Sequence, residues 1–384
     1  MTSDVAVCVL CSGPCEDVAY YGALKRVTSD CRAWPAGGRL VVCTVCGAVQ
    51  KPATETFLTE IARIYDSYAI YHQSSGNEQR VYAGDGGVPR SLQLLRRALE
   101  FLALGDAGRM LDVGCGNGAL LQSFAELRPG WTLAGTELSD VYRAAVESVP
   151  GVESLYVGEI EAVPGRFDFI TMLHSLEHFT APADILRRLR TKFAAGGRLL
   201  IEVPDFQNNP FDLLIADHAL HFSPGALRRV AAQGGYGIEV LERDWVVKEL
   251  SVIAAPENGA LAQNVLPEPE NASIVHRAID SLRDMAAEAR TLASRGPLGI
   301  FGTSIAATWL ASELESEGLK VACFVEEDEN RVGRTYFNAP VLLPDPALVS
   351  GTIYVPLAPA VAKRVAQRLG TGRYRVPRAF MEQS

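Results

Sequence analysis

Residues 111–118 read Leu-Asp-Val-Gly-Cys-Gly-Asn-Gly, a sequence that predicts a strand, a glycine turn and a helix. The apolar residues before the glycines suit a buried parallel strand, and the three glycines allow a sharp turn close to a ligand before a helix begins near Ala119. A second apolar strand ends at Glu137. An acid about 20 residues beyond such glycines can accept hydrogen bonds from both hydroxyls of a ribose. The stretch therefore predicts a nucleoside site.

The composition is that of ordinary soluble globular material, with 48% hydrophobic and 21% charged residues among 384. A chain of this length predicts two or three domains. The net charge of −9 argues against nucleic acid as the main partner, although a few local arginines would suffice for an anionic small substrate. The N-terminus lacks a secretory signal, and no apolar run reaches the ~20 residues that cross a bilayer. We therefore expect a cytoplasmic protein with no membrane partner.

Six of the eight cysteines lie before residue 47. Two Cys-x-x-Cys knuckles can place four thiolates around a zinc ion, and Gly47 permits the tight turn after the second knuckle. The predicted metal ligands are Cys8, Cys11, Cys43 and Cys46. Four thiolates leave no position open for water, so this zinc would be structural. A disulfide framework is the alternative, which a reducing cytoplasm disfavours; Cys15 and Cys31 are left over, and Cys15 could replace Cys11 as a ligand.

Beyond the cysteines, residues 57–71 and 91–104 have apolar residues at helical spacing and would connect the cysteine module to the central part of the chain. From Gly108 to about Ala255, short apolar strands alternate with helices, as in a doubly wound parallel sheet. The predicted strands are Arg109–Val113, Thr132–Thr136, Phe167–Met172, Gly197–Val203 and Val246–Ala254.

A polar, proline-containing linker over 256–269 leads to a second α/β unit. That unit is predicted to consist of a helix over 272–294, a strand and turn over 298–302, a helix over 305–314 and a strand over 320–325. It has no full glycine fingerprint, so it is a half Rossmann pattern. We predict an α/β chain with three domains: a zinc-binding module (1–55), a helical connector with the core (56–255) and a C-terminal Rossmann-like domain (266–384).

Four of the six histidines fall in two segments, 173–179 and 215–223. In an open parallel sheet, ligands bind beyond the carboxyl ends of the strands, so His174, Glu177 and His178 would lie near the ligand. Histidine titrates near neutrality and suits proton removal from a substrate, although a single histidine is as often a structural hydrogen-bonding group. Two clusters at strand ends favour chemistry.

The aspartate at position 112 and the Gly-x-Gly-x-Gly spacing resemble class I S-adenosylmethionine-dependent methyltransferases. The resemblance implies a Rossmann-like seven-stranded core in which the glycine turn cradles the methionine part of the cofactor, the acid after strand two holds the ribose, and an acid after strand three meets the adenine. By position, the cofactor-binding residues would be Asp112, Gly114, Cys115, Gly116, Gly118, Glu137, Leu138, Glu159 and Ile160. A nicotinamide-binding Rossmann domain and a glycine-rich structural turn are the alternatives.

A closer resemblance concerns the order of the modules. Zinc knuckles, methyltransferase core and C-terminal Rossmann-like unit follow one another as in the zinc-containing nucleotide-sugar C-methyltransferases that build branched deoxysugars. The local strings that agree are 43–50, 68–75, Glu177-His178, Asp217-His218, Phe222-Ser223 and Gly333-Arg334.

This second resemblance implies a small-molecule substrate, a keto-sugar nucleotide, bound between the N-terminal module and the C-terminal unit. A histidine in an acid–histidine pair would remove the proton beside the ketone, and the enolate carbon would be methylated. By position, the base would be His218 with Asp217 as its acid. His178 would hold or polarise the sugar, and Tyr71 or Tyr68 would line the pocket near the carbonyl.

Three features depart from that pattern: Asp217 in place of a glutamate, Ile215 in place of a tyrosine, and a shortened turn at Gly302-Thr303-Ser304. An O- or N-methyltransferase of another natural-product or polysaccharide intermediate is therefore the main alternative. A non-catalytic zinc scaffold is a further one. A nicotinamide oxidoreductase using the last domain lacks the required fingerprint. The oligomeric state is left open.

Overall fold

The structure, a computed structural model, describes residues 6–70, 74, 76–82, 87–257, 265–345, 347–349, 351–370 and 372–381. Its helices are α1 Glu55–Tyr65, α2 Arg90–Ala98, α3 Ala119–Leu127, α4 Arg143–Glu147, α5 Pro182–Leu189, α6 Pro224–Gly234, α7 Glu270–Arg295, α8 Ile305–Glu315 and α9 Pro359–Leu369.

The strands of the first half are β1 Cys15–Asp17, β2 Arg26–Val27, β3 Ala33–Trp34, β4 Val41–Cys43, β5 Val49–Gln50, β6 Arg80–Tyr82, β7 Gly87–Pro89, β8 Arg109–Val113, β9 Thr132–Glu137, β10 Val152–Val157 and β11 Phe167–Leu173. Those of the second half are β12 Phe193–Pro204, β13 Leu220–His221, β14 Tyr236–Glu242, β15 Glu249–Pro256, β16 Leu298–Phe301, β17 Cys323–Val325, β18 Thr335–Tyr336, β19 Ala339–Leu342, β20 Thr352–Tyr354 and β21 Tyr374–Arg375.

The central sheet has seven strands in the order β10-β9-β8-β11-β12-β15-β14. The chain runs outward from β8 through β9 to β10 and then returns to β11 on the other side of β8. The switch point between β8 and β11 opens a crevice at the carboxyl ends of the strands, where ligands bind in such sheets. The five predicted strands of this core are confirmed to within a few residues of their ends.

The sheet is mixed, so the prediction of a doubly wound parallel sheet was wrong at one edge. Strand β15 runs antiparallel to both β12 and β14. Residues 243–248, which join β14 to β15, are too few for the crossover that parallel neighbours require. The outer strands β10 and β14 were not among the predicted strands because most of their residues are only partly buried or exposed, which leaves no apolar run.

Helices pack on both faces of this sheet because neighbouring strand residues point in opposite directions. On one face, Met110 and Phe169 pack with the apolar sides of α2 and α3. On the other, Leu111 and Ile170 pack with α5 and α6. The helices α1 and α2 are shorter than the predicted 57–71 and 91–104.

The N-terminal sheet has the order β1-β4-β5-β13, and its last strand comes from the segment that follows β12. The turn after β4 uses Gly47 at φ +78°, as its position predicted. Ser223 ends the β13 segment and caps α6, accepting a hydrogen bond from the Ala226 N–H at 3.2 Å. The cysteine module therefore fixes the position of the histidine-containing segment 215–223.

The C-terminal unit is a six-stranded sheet in the order β18-β19-β17-β16-β20-β21 with α7 and α8 packed together. Its apolar core is continuous with residues of the N-terminal region such as Tyr21 and Val42. Buried contacts join all three parts, so the packing does not mark where one domain ends and the next begins, and the predicted boundaries stay predictions. Among the described residues, no helix combines the length and apolar character needed to cross a membrane.

Candidate active site

The four predicted zinc ligands lie together. The sulfur of Cys8 is 3.6 Å from that of Cys46, the sulfur of Cys11 is 3.4 Å from that of Cys43, and all four fall within 4.8 Å of one another. A tetrahedral site with Zn–S bonds of about 2.3 Å places its sulfurs about 3.8 Å apart. The backbone N–H groups of Val45 and Cys46 both donate to the Cys43 sulfur at 3.4 Å. The donor set fits a zinc ion.

The leftover cysteines lie elsewhere. Cys15 pairs with Cys43 across β1 and β4, but its sulfur donates to the Gly13 carbonyl at 3.9 Å and stands outside the four-sulfur group. Cys31 lines a large cavity that begins at the glycine turn. The geometry therefore favours Cys11 over Cys15 as the fourth ligand.

The glycine turn joins β8 to α3 as predicted. Gly114, Gly116 and Gly118 have φ of +75°, +55° and +87°, a region that favours glycine. A Cβ at Gly114 would lie 2.8 Å from the Ser175 Cβ, and one at Gly116 would lie 2.7 Å from Cδ1 of Ile70. These positions therefore have no room for a side chain, and the bare backbone lets the turn lie close to a ligand.

Glu137 ends β9 beside this turn. Its Oε1 accepts from the Gly116 N–H at 2.6 Å and its Oε2 from the Leu138 N–H at 3.0 Å. Asp112 is buried below the turn, where its Oδ1 accepts from the Thr171 hydroxyl at 2.6 Å and where burial raises its pKa to about 7. The strand-two acid is therefore held at the mouth of the glycine turn.

The large cavity has a volume of about 880 Å³ and reaches from this turn to the C-terminal unit. The predicted cofactor residues on its wall are Asp112, Gly114, Cys115, Gly116, Glu137, Leu138, Glu159 and Ile160. Gly118 is not on this wall; it caps the N-terminus of α3, and a Cβ there would lie 3.4 Å from the Cα of Val146. Glu159 is exposed and forms an ion pair with Arg188, which also lines the cavity.

At the other end of the cavity, His218 is buried and bonded to an aspartate that the sequence analysis did not select. Asp212 Oδ1 is 2.8 Å from His218 Nδ1, and its Oδ2 is 2.6 Å from His221 Nδ1. Lys51 donates from Nζ to His221 Nε2 at 2.9 Å and to the carbonyls of Ile215 and His218. These bonds leave His218 Nε2 as the nitrogen that faces the cavity.

This arrangement makes His218 a stronger base than a free imidazole. Burial alone would lower the pKa of His218, but the hydrogen bond and charge of Asp212, with the charge of Asp217, outweigh burial and raise it. Asp212 is itself fully buried, and the two histidines hold its pKa well below the usual value despite burial. The acid that orients His218 is therefore Asp212, six residues upstream.

Asp217, the predicted acid of the pair, lies beside His178 instead. Its carboxylate accepts from the Ser29 N–H at 2.9 Å and the Ser29 hydroxyl at 2.5 Å, and its Oδ2 is 3.4 Å from His178 Nδ1. The rings of His178 and His218 meet edge to face at 4.8 Å. The structure thus brings His178, Asp217 and His218 together, but with Asp217 serving His178.

A second polar cluster lines the cavity between the glycine turn and His218. His174, with φ of +48°, follows β11, and its Nε2 is 3.2 Å from Oε1 of Glu202. Its Nδ1 is 3.3 Å from Oε1 of Glu177, which is 4.0 Å from His218 Nε2. Arg90 donates twice to Glu202 Oε1, at 3.0 and 2.8 Å.

Several residues of the site were missed from sequence. Lys51 lies far from the histidines in the chain, Asp212 stands in an apolar segment, and Glu249 is the first residue of β15. His221 was counted in the histidine segment 215–223, but no role was predicted for it. The signal for Asp212 and His221 was their proximity to His218 in sequence. Tyr68 lines the cavity as predicted, whereas Tyr71 lies outside the described residues.

The part of the chain that carries this site is similar to known proteins. Residues 89–241, which hold the glycine turn, Glu137 and the end of β11, match the model of a family described as a methyltransferase domain. The chain contains a class I S-adenosylmethionine-dependent methyltransferase domain. The prediction drawn from Asp112 and the glycine spacing is thereby confirmed for the domain.

Relatives of this methyltransferase domain include two ubiquinone biosynthesis O-methyltransferases. That of Burkholderia multivorans is 36% identical over 98 residues, which are 23% of this chain and 41% of the relative. That of Pseudomonas paraeruginosa is 29% identical over 133 residues, 31% of this chain and 56% of the relative. The chain thus spans roughly half the length of these curated relatives.

Among solved structures, the mitomycin 7-O-methyltransferase MmcR aligns with 43% of this chain and 54% of its own at 20% identity, with a TM-score of 0.38. At this score the alignment carries no argument about function.

Proposed function

We propose that the chain transfers a methyl group from S-adenosylmethionine to a carbon of a keto-sugar nucleotide, after His218 removes the proton beside the ketone. The observation that carries this proposal is the buried Asp212–His218 pair, which turns a basic imidazole nitrogen into the cavity that begins at the glycine turn. A methyltransferase that only aligned an already nucleophilic acceptor would have no need of such a base.

The donor end supports the proposal through its fit to S-adenosylmethionine. Glu137 would offer two carboxylate oxygens to the ribose hydroxyls, the backbone of 114–116 would lie against the methionine part, and Glu159, on the cavity wall, would meet the adenine. When bound, the sulfonium compound supplies an electrophilic methyl group. The protein's task is then to hold the acceptor carbon in line and make it electron-rich.

At the acceptor end, His218 accepts the proton of the carbon beside the ketone at Nε2, and the electron pair of the C–H bond moves to the carbonyl oxygen. Asp212 stabilises the imidazolium through the Nδ1 hydrogen bond. His178, held by Asp217, would contact the sugar. The adjacent ketone is required, because it stabilises the carbanion as an enolate and so makes the C–H group acidic enough for an imidazole base.

A nucleotide-linked acceptor is supported by the far wall of the cavity. Residues 304–306 at the start of α8 and Arg331 line it. The N–H groups at the start of a helix favour an anion such as a diphosphate. Arg331 is anchored by its hydrogen bond to the Thr303 hydroxyl at 3.2 Å and by Glu326 and Asp328.

Zinc held by the four cysteines would stabilise the sheet that carries β13. Because β13 pairs with β5 directly after the second knuckle, the metal would fix the segment that holds His218 and His221. The ion would act on structure and leave the chemistry to the side chains.

The position of the transferred methyl group tests the proposal. The full chain would be incubated with donor labelled with ¹³C in the methyl group and a panel of nucleoside diphosphate keto-deoxysugars, and the product examined by NMR. A methyl carbon coupled to a sugar ring carbon is the expected result. A methyl group on oxygen or nitrogen would overturn the assignment.

One finding favours a second candidate, an O-methyltransferase. The relatives that match part of the core are named as O-methyltransferases of ubiquinone biosynthesis. In that case the Asp212–His218 pair would remove a proton from a hydroxyl group. The same labelled product distinguishes the two, because an O-methyl carbon resonates far from a C-methyl carbon.

A further inference from the structure

Glu177 stands out among the buried groups that the proposed chemistry does not use. Its side chain is 1% exposed and lines the cavity, yet within the described part of the chain neither carboxyl oxygen accepts a hydrogen bond. A buried polar group without such a partner destabilises the fold, and more so if it is charged. Its oxygens are thus available to a ligand in the cavity.

The position of Glu177 is fixed by its own backbone. It lies in a short helical turn after β11, and its carbonyl accepts a hydrogen bond from the Ala219 N–H at 2.8 Å. That bond ties it to the segment of His218, so Glu177 Oε1 and His218 Nε2 face each other across 4.0 Å. A group bound between them would touch both.

The hydrogen bonds of His174 indicate the protonation state of Glu177. Burial and the charge of Arg90 hold the pKa of His174 well below its usual value, so the ring is neutral and has one N–H. Two hydrogen bonds from Arg90 favour the charged carboxylate of Glu202 against the burial that raises its pKa, so we assign the N–H of His174 to Nε2, where it points to Glu202. The unprotonated Nδ1 then lies 3.3 Å from Glu177 Oε1. Two lone pairs would repel at that distance unless Glu177 carries the proton, and an acceptor oxygen bound in the cavity would take over this O–H from His174 Nδ1.

Other groups around Glu177 act in both directions. The charges of His218 and Arg90 favour its anion, whereas those of Asp212 and, from β15, Glu249 favour the neutral acid; Tyr65 of α1 also faces it. Burial is the largest influence and raises the pKa of Glu177 to about 7. This raised pKa agrees with the protonated Glu177 that the contacts of His174 require.

We propose, on the basis of the proposed function, that Glu177 is a catalytic residue whose neutral carboxyl group donates a hydrogen bond to the acceptor oxygen beside the carbon that His218 deprotonates. As His218 Nε2 takes the proton, the electron pair of the C–H bond moves to this oxygen, and the Glu177 O–H stabilises the negative charge. When the carbon–carbon bond forms and the carbon–sulfur bond of the donor breaks, the C=O bond returns and Glu177 keeps its proton. A carboxylic acid kept neutral by an apolar site is known to act in this way on enolates.

The first arm of the test needs no substrate. Infrared difference spectra of the full chain against Glu177→Gln, recorded at pH 6, should show a protonated carboxyl band in the wild type that the variant lacks. Absence of the band would overturn the proposal whatever the acceptor is. Tight binding of Zn²⁺ or Mn²⁺ alone to the metal-loaded chain, lost in Glu177→Gln, would assign a cation site instead and also overturn it.

The second arm measures deuterium uptake from heavy water by the keto-deoxysugar panel without methyl donor. Glu177→Gln keeps an N–H donor and should retain exchange within about tenfold, whereas Glu177→Ala should lose about 10²–10³-fold, the usual cost of removing one such donor. Equal losses in both variants would mean that the charged form is needed, and would contradict the proposal. If Glu177→Ala fails to fold, the pH dependence of exchange decides. The exchange rate of the wild type should fall above about pH 7 as Glu177 loses its proton, and this fall should be absent in Glu177→Gln, whose amide does not titrate.

The matched control is Glu239→Gln on β14, where Glu239 forms an ion pair with Arg198 of β12 at the surface. This variant should change neither the infrared spectrum nor the deuterium exchange. If the wild type exchanges no keto-sugar, the proposed function fails while the infrared arm still decides the state of Glu177. If the wild type exchanges and the band is absent, only the inference about Glu177 fails.

Discussion

The two ends of the large cavity are built in different ways. At the donor end, one continuous stretch supplies a backbone turn, and a single carboxylate, Glu137, reaches it from the next strand. At the acceptor end, titratable side chains from at least five segments converge, among them Lys51, Asp212 and Glu249. The donor end is made to bind, and the acceptor end is made to move a proton.

This difference predicts that substitutions at the two ends separate binding from chemistry. Donor-end changes should weaken affinity for the donor product, S-adenosylhomocysteine. Acceptor-end changes should leave that affinity intact and lower turnover. A variant that affects both equally would mean that the two ends are not independent.

The largest effect is expected for His218→Asn. Loss of a positioned general base costs about 10²–10⁴-fold in turnover, while calorimetric binding of S-adenosylhomocysteine should match the wild type. His276→Asn, at an exposed position of α7, is the control and should be silent. Retention of wild-type turnover in His218→Asn would remove the base from the account.

Asp212→Asn is expected to follow, with a fall of about 10²-fold in turnover, since Asp212 positions His218 and stabilises its imidazolium. The direction in which the pH profile of kcat/KM moves is a second readout. Asp212 raises the pKa of His218, and the base must be neutral, so kcat/KM rises with pH through that raised value. Without the carboxylate the rise should move to lower pH. Asp217→Asn removes a charge near His218 but no hydrogen bond to it, so the rise should move less than in Asp212→Asn; a larger shift in Asp217→Asn would assign the pair to Asp217.

A smaller effect is expected for Glu137→Ala. We expect a net loss close to that of one hydrogen bond to a charged group, about 1.5–3 kcal/mol, so affinity for S-adenosylhomocysteine should fall by about 10–100-fold. Glu326→Ala is the matched control, because Glu326 accepts from the Thr303 N–H at 3.2 Å in the equivalent turn of the C-terminal unit. Equal losses in both variants would place the donor elsewhere.

The smallest effect on the chemistry is expected for Cys43→Ser, which removes a zinc ligand. Deuterium exchange should fall by about tenfold because β13 loses its support, while donor affinity changes less than threefold. Metal content should drop in Cys43→Ser and stay at one zinc per chain in Cys15→Ser. Full zinc content in Cys43→Ser would contradict the four-cysteine site.

The same contrast explains how much of the molecule could be predicted from sequence. The turn at 114–118, Glu137 and the two knuckles depend on neighbours in the chain, so spacing and residue type were sufficient. The Lys51 contact depends on how β13 pairs with β5, a long-range pairing that no local pattern encodes. Asp212 lies only six residues from His218, but residue types alone do not show that the chain folds back to bring these two side chains together. Adjacency in sequence selected Asp217, but the chain turns between 217 and 218 so that their side chains take different partners. Strands β10 and β14 escaped notice because edge strands lack the apolar run of buried ones.

Deuterium uptake by the acceptor in heavy water, with no methyl donor present, shows whether His218 forms an enolate. We expect label at the carbon beside the ketone with the wild-type chain and none above background with His218→Asn. Methyl transfer by a wild-type chain that leaves the acceptor unlabelled, or equal labelling by His218→Asn, would exclude His218 as the base.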